Sequence, residues 1–272
     1  SHHRRSTASV VALADRCFVA DLATKAPSVP DPPTARLCDV PPSDHPPATH
    51  RVTLRRGVNR GSHDPATIRK VLEDALIAHV GVVTTEGPVV LPMAYGLGTR
   101  PDGEEVMYLH GAVANGMLNS GDGEEVCATV TIVDGLVFAR TPLHDSMNYR
   151  CVVVRGHAST VSDPDEHRAA LHAITDHVAA NWDDGRPPSA GDLRRTMVLA
   201  LPIREASAKI RGGDPVDEAD DIGGPHWAGT VPLLAQWGAP RSSADLAAKG
   251  TLGPPEAVAA LVGTSVERRQ VE

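Results

Sequence analysis

Polar and aromatic side chains that could act on a ligand stand at the ends of two strand-like runs. His110 closes one run beside Gly111, and Asn148, Tyr149 and Arg150 open another. On a sheet scaffold, strand ends next to a glycine turn commonly present a ligand site. We therefore expect a ligand site here, with His110 and Arg150 as the residues that orient the bound molecule. A strand-end histidine or arginine can also be purely structural, and the residues alone leave that alternative open.

Three β-branched runs separated by short turns predict an antiparallel sheet unit around these residues. The runs cover residues 106–111, 126–133 and 149–154. A short helix is predicted over residues 112–120, between the first run and the second. Earlier in the chain, Asp64-Pro65 is typical of a helix start. The sequence therefore predicts a sheet whose strand ends and turns carry the site.

A β-hairpin precedes this unit, with its turn at Glu86-Gly87. Pro92 lies in the returning strand and cannot donate to a ladder, so it marks a sheet edge, a bulge or backbone that faces a ligand. Later in the chain we predict helices over 163–182 and 190–196, a last strand over 198–203 and a polar run ending in glycines over 205–213. Several antiparallel strands in sequence favour a meander that closes into a small barrel.

Composition narrows the functional classes. The chain has 272 residues, 41% hydrophobic but only 3% aromatic, so aliphatic side chains must fill the core. The formal net charge of −8 and the scattered basic residues give no nucleic-acid footprint, which favours a small molecule or a second copy of the chain as partner. No apolar run approaches the ~20 residues of a membrane helix. The four cysteines lack a C-x-x-C pairing, which predicts reduced thiols in a cytoplasmic protein.

Proline content divides the chain. Residues 1–50 contain a proline tract that cannot bury a core, so we expect a disordered or loosely docked arm. Residues 51–238 form the predicted folded domain, and residues 239–272 a peripheral tail.

His167, His172 and His177 are five residues apart on a predicted helix, which places them on different faces and gives no metal site. His172 and Asp176 fit an exposed i, i+4 pair instead.

The order of three motifs resembles the pyridoxamine 5′-phosphate oxidase-related family of FMN-binding split-barrel proteins, and within it the nitroimidazole-resistance-like group. The motifs are Tyr108-Leu-His110-Gly111, Ser146-Met-Asn148-Tyr149-Arg150 and Ala206-Ser-Ala-Lys209-Ile-Arg211. The resemblance covers about residues 56–234. It implies a mainly β fold with flanking helices, namely a six-stranded antiparallel split β-barrel. It also implies a cytoplasmic homodimer with FMN in clefts between the subunits.

The resemblance further implies an oxidoreductase that reduces or oxidises a small molecule at the dimer-interface cleft, with His110 and Arg150 as catalytic residues. The implied cofactor-binding residues are Leu91, Pro92, Met93, Tyr95, His110, Ala112, Asn115, Asn148, Arg150, Lys209 and Trp227. Strand 91–95 would run under the flavin, and the turn from Ala112 would meet its phosphate. There the N–H groups of a helix start would receive the anion.

One departure from the family pattern concerns the phosphate. Many members carry an arginine where this chain has Asn115-Gly116. Loss of a charge-assisted contact weakens binding by roughly 1.5–3 kcal/mol. Unless Lys209, Arg140 or Arg211 replaces that contact, FMN binds weakly, and the alternatives to FMN are a deazaflavin or haem. Alternatives to the oxidoreductase are a non-catalytic flavin- or haem-binding storage or sensor protein, a deazaflavin-dependent reductase and a structural dimer with an empty cleft.

Overall fold

The computed structural model describes residues 45–249 and 253–266. The strands are β1 Gly61–Ser62, β2 Ala78–Thr84, β3 Gly87–Met93, β4 Tyr95–Thr99, β5 Glu105–Ala112, β6 Glu125–Phe138, β7 Ser146–His157, β8 Ser159–Thr160, β9 Thr196–Pro202, β10 Glu205–Arg211 and β11 Gly229–Pro232. The α-helices are α1 Pro65–Asp74, α2 Gly116–Gly121, α3 Pro164–Val178, α4 Ala190–Arg195, α5 Ala244–Lys249 and α6 Glu256–Ala259. The described part is therefore mainly β, as the sequence predicts.

The strands form two antiparallel sheets. A seven-stranded sheet has the order β1-β10-β7-β6-β2-β3, with β11 also paired to β6, and a four-stranded sheet has the order β4-β5-β9-β8. This arrangement confirms the split-barrel fold, although the sheets do not close into one ring and hold more strands than the six expected. The additional strands include the short β1, β8 and β11 at the sheet margins.

The predicted meander differs from the observed pairing at β5. Strands β6 and β7 pair along nearly their whole length, but β5 lies in the other sheet, between β4 and β9. Helix α2 connects the two sheets, so β6 pairs with β2 instead of β5. The β-branched runs therefore predicted three strands correctly and placed one of them in the wrong sheet.

An aliphatic core fills the space under the helices. The larger buried cluster includes Leu72 of α1, Val80, Leu109 and Leu118. Complete burial of one such side chain contributes about 1.5–3 kcal/mol. A smaller cluster lies under α3, whose close approach to β4 depends on Gly96. A Cβ atom at that position would lie 2.5 Å from the backbone nitrogen of Ile174.

The helix starts confirm the capping signals. The Asp64 side chain accepts a hydrogen bond of 2.8 Å from the Thr67 N–H, and Asp163 caps α3 in the same way. Hydrogen bonds from Thr67 lower the pKa of the Asp64 carboxyl. Helix α3 ends at Val178, before the predicted residue 182, because Ala179 adopts an extended backbone with φ of −160°. Proline at the first helical position supports both starts.

Strand β10 replaces the predicted polar run. Its small residues hid the period-two pattern: Ala206 and Ala208 are buried on one face, whereas Lys209 and Arg211 lie on the other. Ala206 pairs with Val154 of β7, so the alanines face the core. Small side chains suffice at these positions because neighbouring strands already fill the core.

The terminal predictions are only partly within the described residues. Residues 1–44 of the predicted arm lie outside them, as do residues 250–252 and 267–272 of the tail. The rest of the tail contains α5 and α6, and Gln236 forms a bridge with Ser265. In the described part, no helix is long and apolar enough to cross a membrane.

Candidate functional site

The chain crosses from the first sheet to the second between β3 and β4, at Ala94. We call residues 93–95 together with His110 the seam. Tyr95 pairs with Leu109, so His110 follows directly after this ladder pair on the side of Ala94. On its other side, His110 pairs with Val198 of β9. The seam therefore holds His110 between a sheet crossover and a well-ordered ladder.

The His110 ring is half-buried, and its Nδ1 is shielded from solvent without a hydrogen-bond partner among the described residues. Burial lowers the pKa of His110, so the imidazole is neutral at pH 7. A buried polar atom without a partner is uncommon and costs free energy. The arrangement can donate to or accept from a bound molecule, or coordinate a metal through a neutral ring nitrogen.

Strand β3 forms one edge of the seven-stranded sheet, so of the three alternatives for Pro92 the structure shows an edge. Pro92 pairs with His79 of β2, and its missing N–H costs nothing at an edge. The Leu91 and Val90 side chains are 40% and 61% exposed. Backbone groups on the outer edge of β3 have no strand partner in the described part of the chain. This edge can therefore receive either a ligand with donors and acceptors or another chain.

The turn that precedes α2 was expected to offer free N–H groups to a phosphate. Instead, the Asn115 side chain accepts hydrogen bonds from the N–H groups of Met117 at 3.0 Å and Leu118 at 3.4 Å. Gly111 allows the close approach of this turn, because a Cβ there would lie 2.5 Å from Leu118 Cδ1. Asn115 thus occupies two donors of the helix start, while Ala112 is exposed at its entrance.

Arg150 is engaged in a buried ionic cluster. Its side chain contacts the Asp74 carboxylate at 2.9 Å and the Asp134 carboxylate at 2.6 Å, and only 4% of the residue is exposed. Lys70 also pairs with Asp74. Removal of one member of such a cluster costs about 3–5 kcal/mol, because it leaves an uncompensated buried charge. Within one chain, Arg150 therefore joins α1 to the β6–β7 hairpin, and its side chain is committed to two carboxylates.

Tyr95 also lies at the C-terminal end of α1. Its hydroxyl donates to the carbonyl oxygens of Leu72 and Ala75, and His177 Nε2 lies 2.7 Å from the same Ala75 oxygen. The Tyr95 side chain is fully buried. These contacts satisfy carbonyl groups that the helix end leaves without intrahelical partners. Only the Tyr95 backbone remains for a ligand.

The other predicted site residues lie on strands β7, β10 and β11 or beside them. Asn148 accepts a hydrogen bond from Arg211 and donates one of 3.1 Å to the Gly213 carbonyl. Lys209 lies against Gly57, since a Cβ at that glycine would be 3.3 Å from Lys209 Cε. Trp227 is 66% exposed and packs on Phe138, with ring centroids 6.0 Å apart.

In the structure the predicted residues lie in two separate regions, which we call the seam group and the second group. The seam group contains Leu91, Pro92, Met93, Tyr95, His110, Ala112 and Asn115. The second group contains Asn148, Arg150, Lys209 and Trp227. Within the second group, Arg150 and Lys209 face opposite sides of the sheet. The resemblance implies that Asn148 and Arg150 bind the cofactor together with the seam residues, and this stays a prediction.

Three residues near the second group were missed in the sequence: Asp74, Asp134 and Arg60. An arginine at the start of an apolar strand needs buried counter-charges, and acidic residues at the end of a helix or at a strand bulge are candidates. Asp134 lies at the bulge between Val133 and Gly135. Arg60 gave no sequence signal, because its position depends on the pairing of β1 with β10.

The chain is similar in sequence and structure to several known proteins. The sequence model of the pyridoxamine 5′-phosphate oxidase family matches residues 64–210. The flavocytochrome Anf3 from Azotobacter vinelandii is 28% identical, with a TM-score of 0.72 over 80% of this chain and 99% of that one. The FAD and heme binding protein from Mycobacterium smegmatis is 30% identical, with a TM-score of 0.69 over 77% of this chain and 100% of that one. No curated protein matches the chain.

Proposed function

The chain belongs to the pyridoxamine 5′-phosphate oxidase family, and we propose that it binds a flavin at the seam for redox chemistry on a small molecule. The observation that carries the proposal is His110, whose buried Nδ1 has no partner among the described residues. The family match includes the whole seam. The name of the Mycobacterium smegmatis protein, which states FAD and heme binding, supports a flavin here.

Each seam element has a role in this proposal. The outer edge of β3 at Val90 and Pro92 supplies backbone carbonyl oxygens, and the Val90 N–H, to the polar edge of the flavin ring. His110 contributes a neutral imidazole that orients the ring or the substrate through one hydrogen bond. The flavin, when bound, supplies hydride or electron transfer, and the protein supplies position and electrostatics.

A flavin titration tests this proposal. The purified protein should show a flavin absorbance band or take up FMN or FAD saturably, with one flavin per chain. His110→Ala should weaken uptake by about tenfold, the equivalent of one lost hydrogen bond of roughly 1.4 kcal/mol. His157→Ala is the matched control, because His157 also ends a strand but is exposed. The absence of saturable uptake in the wild-type protein would overturn the proposal.

The identity of the flavin follows from a second measurement on the same material. The sequence resemblance predicts FMN, whereas the Mycobacterium smegmatis relative is named for FAD. We favour FAD as the flavin, because the match covers 100% of the Mycobacterium smegmatis protein. Chromatography of the supernatant after heat denaturation separates FMN from FAD. Recovery of FMN alone would restore the sequence-based prediction.

Haem is a second candidate at the same residue. Anf3 is a flavocytochrome, and the Mycobacterium smegmatis protein is named for heme as well as FAD. Burial keeps the His110 imidazole neutral, which is the form that coordinates iron. A hemin titration should give a Soret band that His110→Ala removes and His157→Ala retains. A Soret band that persists in His110→Ala would exclude His110 as the ligand.

We also propose that the chain functions as a homodimer. The edge strand β3 and its hairpin expose Val83, Val90 and Leu91, and Trp227 is exposed beside β11. Large apolar side chains exposed on an edge strand leave surface that a second chain can cover. A second chain would also bring the second group of predicted residues to the seam. Analytical ultracentrifugation should show a dimer that Leu91→Glu weakens, and a wild-type monomer at micromolar concentration would overturn this part of the proposal.

A further inference from the structure

Arg211, the last residue of β10, is buried without an acidic partner. Only 7% of the residue is exposed, and its one hydrogen bond among the described residues is to the Asn148 side chain. No carboxylate in the described ranges forms an ion pair with it. A buried charge is ordinarily paired. A guanidinium carries five N–H donors, so most of the donors of Arg211 remain available.

Arg211 lines a surface cavity of about 260 Å³. Arg60 lines the same cavity from the turn before β1, and Asn59 and Ser62 contribute further polar groups. This volume is below the roughly 300–1,000 Å³ of sites that enclose whole drug-sized ligands. The cavity therefore suits a small charged group more than a complete ring system.

Electrostatic repulsion adds to the cost of burial at this site. Burial, and after it the positive charge of Arg60, lower the pKa of Arg211. Arginine nevertheless remains protonated in proteins, so two positive charges face the same cavity. The one carboxylate among the lining residues is Asp214, which is exposed and forms no ion pair with either arginine in the described structure. An anion in the cavity would offset both the burial cost and the repulsion.

We propose that the cavity between β1 and β10 binds a phosphate or diphosphate group through Arg60 and Arg211. Planar guanidinium groups match phosphate oxygens through paired, charge-assisted hydrogen bonds. A dianion balances the two positive charges of Arg60 and Arg211, whereas one carboxylate would neutralise only one of them. Asn148 holds the Arg211 side chain in position through their hydrogen bond.

None of the residues that line the arginine cavity belongs to the seam, so anion binding there can be measured without a flavin. The phosphate site expected at the start of α2 has two N–H groups already occupied by Asn115. The arginine cavity is a separate place where a phosphate finds charge. The phosphate group could belong to a flavin or to a separate phosphorylated molecule, and both sources present the same chemistry to Arg60 and Arg211.

Calorimetric titration with inorganic pyrophosphate tests the site. Wild-type protein should bind pyrophosphate saturably, and Arg60→Gln and Arg211→Gln should each weaken binding at least tenfold. Arg60 is exposed, so its variant should fold even where the buried Arg211 variant does not. Arg194→Gln is the matched control, since Arg194 is an exposed arginine on α4 outside the cavity. Equal affinity in the wild-type, Arg60→Gln and Arg211→Gln proteins, or no binding in the wild type, would overturn the inference.

Parallel titrations with FAD identify the source of the phosphate. If Arg60→Gln weakens both FAD and pyrophosphate binding, the cavity holds the flavin diphosphate. If it weakens pyrophosphate binding alone, the cavity holds a separate phosphorylated ligand. Pyrophosphate binding that depends on Arg60 in a protein without flavin affinity would support the cavity while the flavin proposal fails.

Discussion

Two buried arginines lie on neighbouring strands and have opposite surroundings. Arg150 of β7 pairs in register with Ile210, whereas Arg211 of β10 pairs with Tyr149. Side chains alternate along a strand, so Arg150 faces the core side of the sheet and Arg211 faces the other side. Arg150 forms ion pairs with two carboxylates, whereas the Arg211 side chain hydrogen-bonds to the Asn148 amide and forms no ion pair within the described residues. The described part of the chain therefore supplies counter-charges to one arginine and not to the other.

This difference distinguishes an arginine that holds the fold together from one that can bind a ligand. A buried arginine with two carboxylates stabilises the fold once formed, and a ligand could reach it only by breaking that cluster. A buried arginine without a counter-charge is a cost to the folded state, which a ligand of opposite charge can offset. Arg150 and Arg211 are both buried arginines, so the side chains around each one determine whether it stabilises the fold or binds a ligand.

The largest expected effect is on stability, at Arg150. Arg150→Ala should reduce the free energy of unfolding by about 3–5 kcal/mol, because Asp74 would remain buried with only Lys70 as a partner. Urea denaturation followed by circular dichroism measures this loss. Arg155→Ala on the same strand is the control, since its pair with Glu125 is exposed and should contribute less than ~1 kcal/mol. Equal losses in both variants would contradict the comparison.

The next effect concerns the residue that positions Arg211. Asn148→Ala removes its hydrogen bond to Arg211 and should weaken pyrophosphate binding about fivefold, which corresponds to roughly 1 kcal/mol. Calorimetry measures the change. Asn148→Asp should instead place a carboxylate next to Arg211 and compete with the anion. If Asn148→Asp bound pyrophosphate more tightly than the wild type, the positioning role would be wrong.

Arg211 itself should contribute little to stability. Arg211→Gln removes a buried charge that has no ion pair in the described part of the chain, so the free energy of unfolding should stay within ~1 kcal/mol of the wild-type value. The same urea denaturation as for Arg150→Ala gives a direct comparison. A loss as large as that of Arg150→Ala would mean that Arg211 is structural as well.

The smallest effect is a pH dependence at His110. Burial lowers its folded pKa below the unfolded value of about 6.5, so the unfolded state binds more protons below that pH. The stabilising contribution of neutral His110 is therefore present above pH 6.5 and is lost as the pH falls through the folded pKa. Flavin-free His110→Gln should lose less stability between pH 7.5 and pH 5 than the wild type. An identical loss in the two proteins would show that His110 titrates normally.

Local signals predicted much of the fold. Caps at Asp64 and Asp163, the turn at Gly87 and the edge proline Pro92 were all readable, because each depends on its own residues and their immediate neighbours. The assignment of β5 to the other sheet was not readable, since it depends on which distant strand pairs with β6. Strand β10 was hidden because the residues on its core face are small alanines, which give a weak hydrophobic pattern.

The candidate site was predictable to a smaller extent. His110 stood out through its strand-end position, and its buried Nδ1, which has no partner among residues 45–249 and 253–266, supports that choice. The acidic partners of Arg150 come from α1 and β6, far away in the sequence, so no local pattern connects them. The meeting of Arg60 and Arg211 likewise depends on the β1–β10 pairing. The roles of these arginines therefore depend on side chains that only the tertiary fold brings close to them, and the sequence alone could not show these partners.

Ligand-induced stabilisation tests the distinction between the two arginines most directly. Urea denaturation of wild-type and Arg211→Gln protein would be measured without pyrophosphate and with pyrophosphate at about 100 times its dissociation constant for the wild type. The wild-type protein should gain about 2.7 kcal/mol in its free energy of unfolding, because only the folded state binds the anion. Arg211→Gln should gain far less. Equal gains in both proteins would contradict the assignment of Arg211 to an anion site.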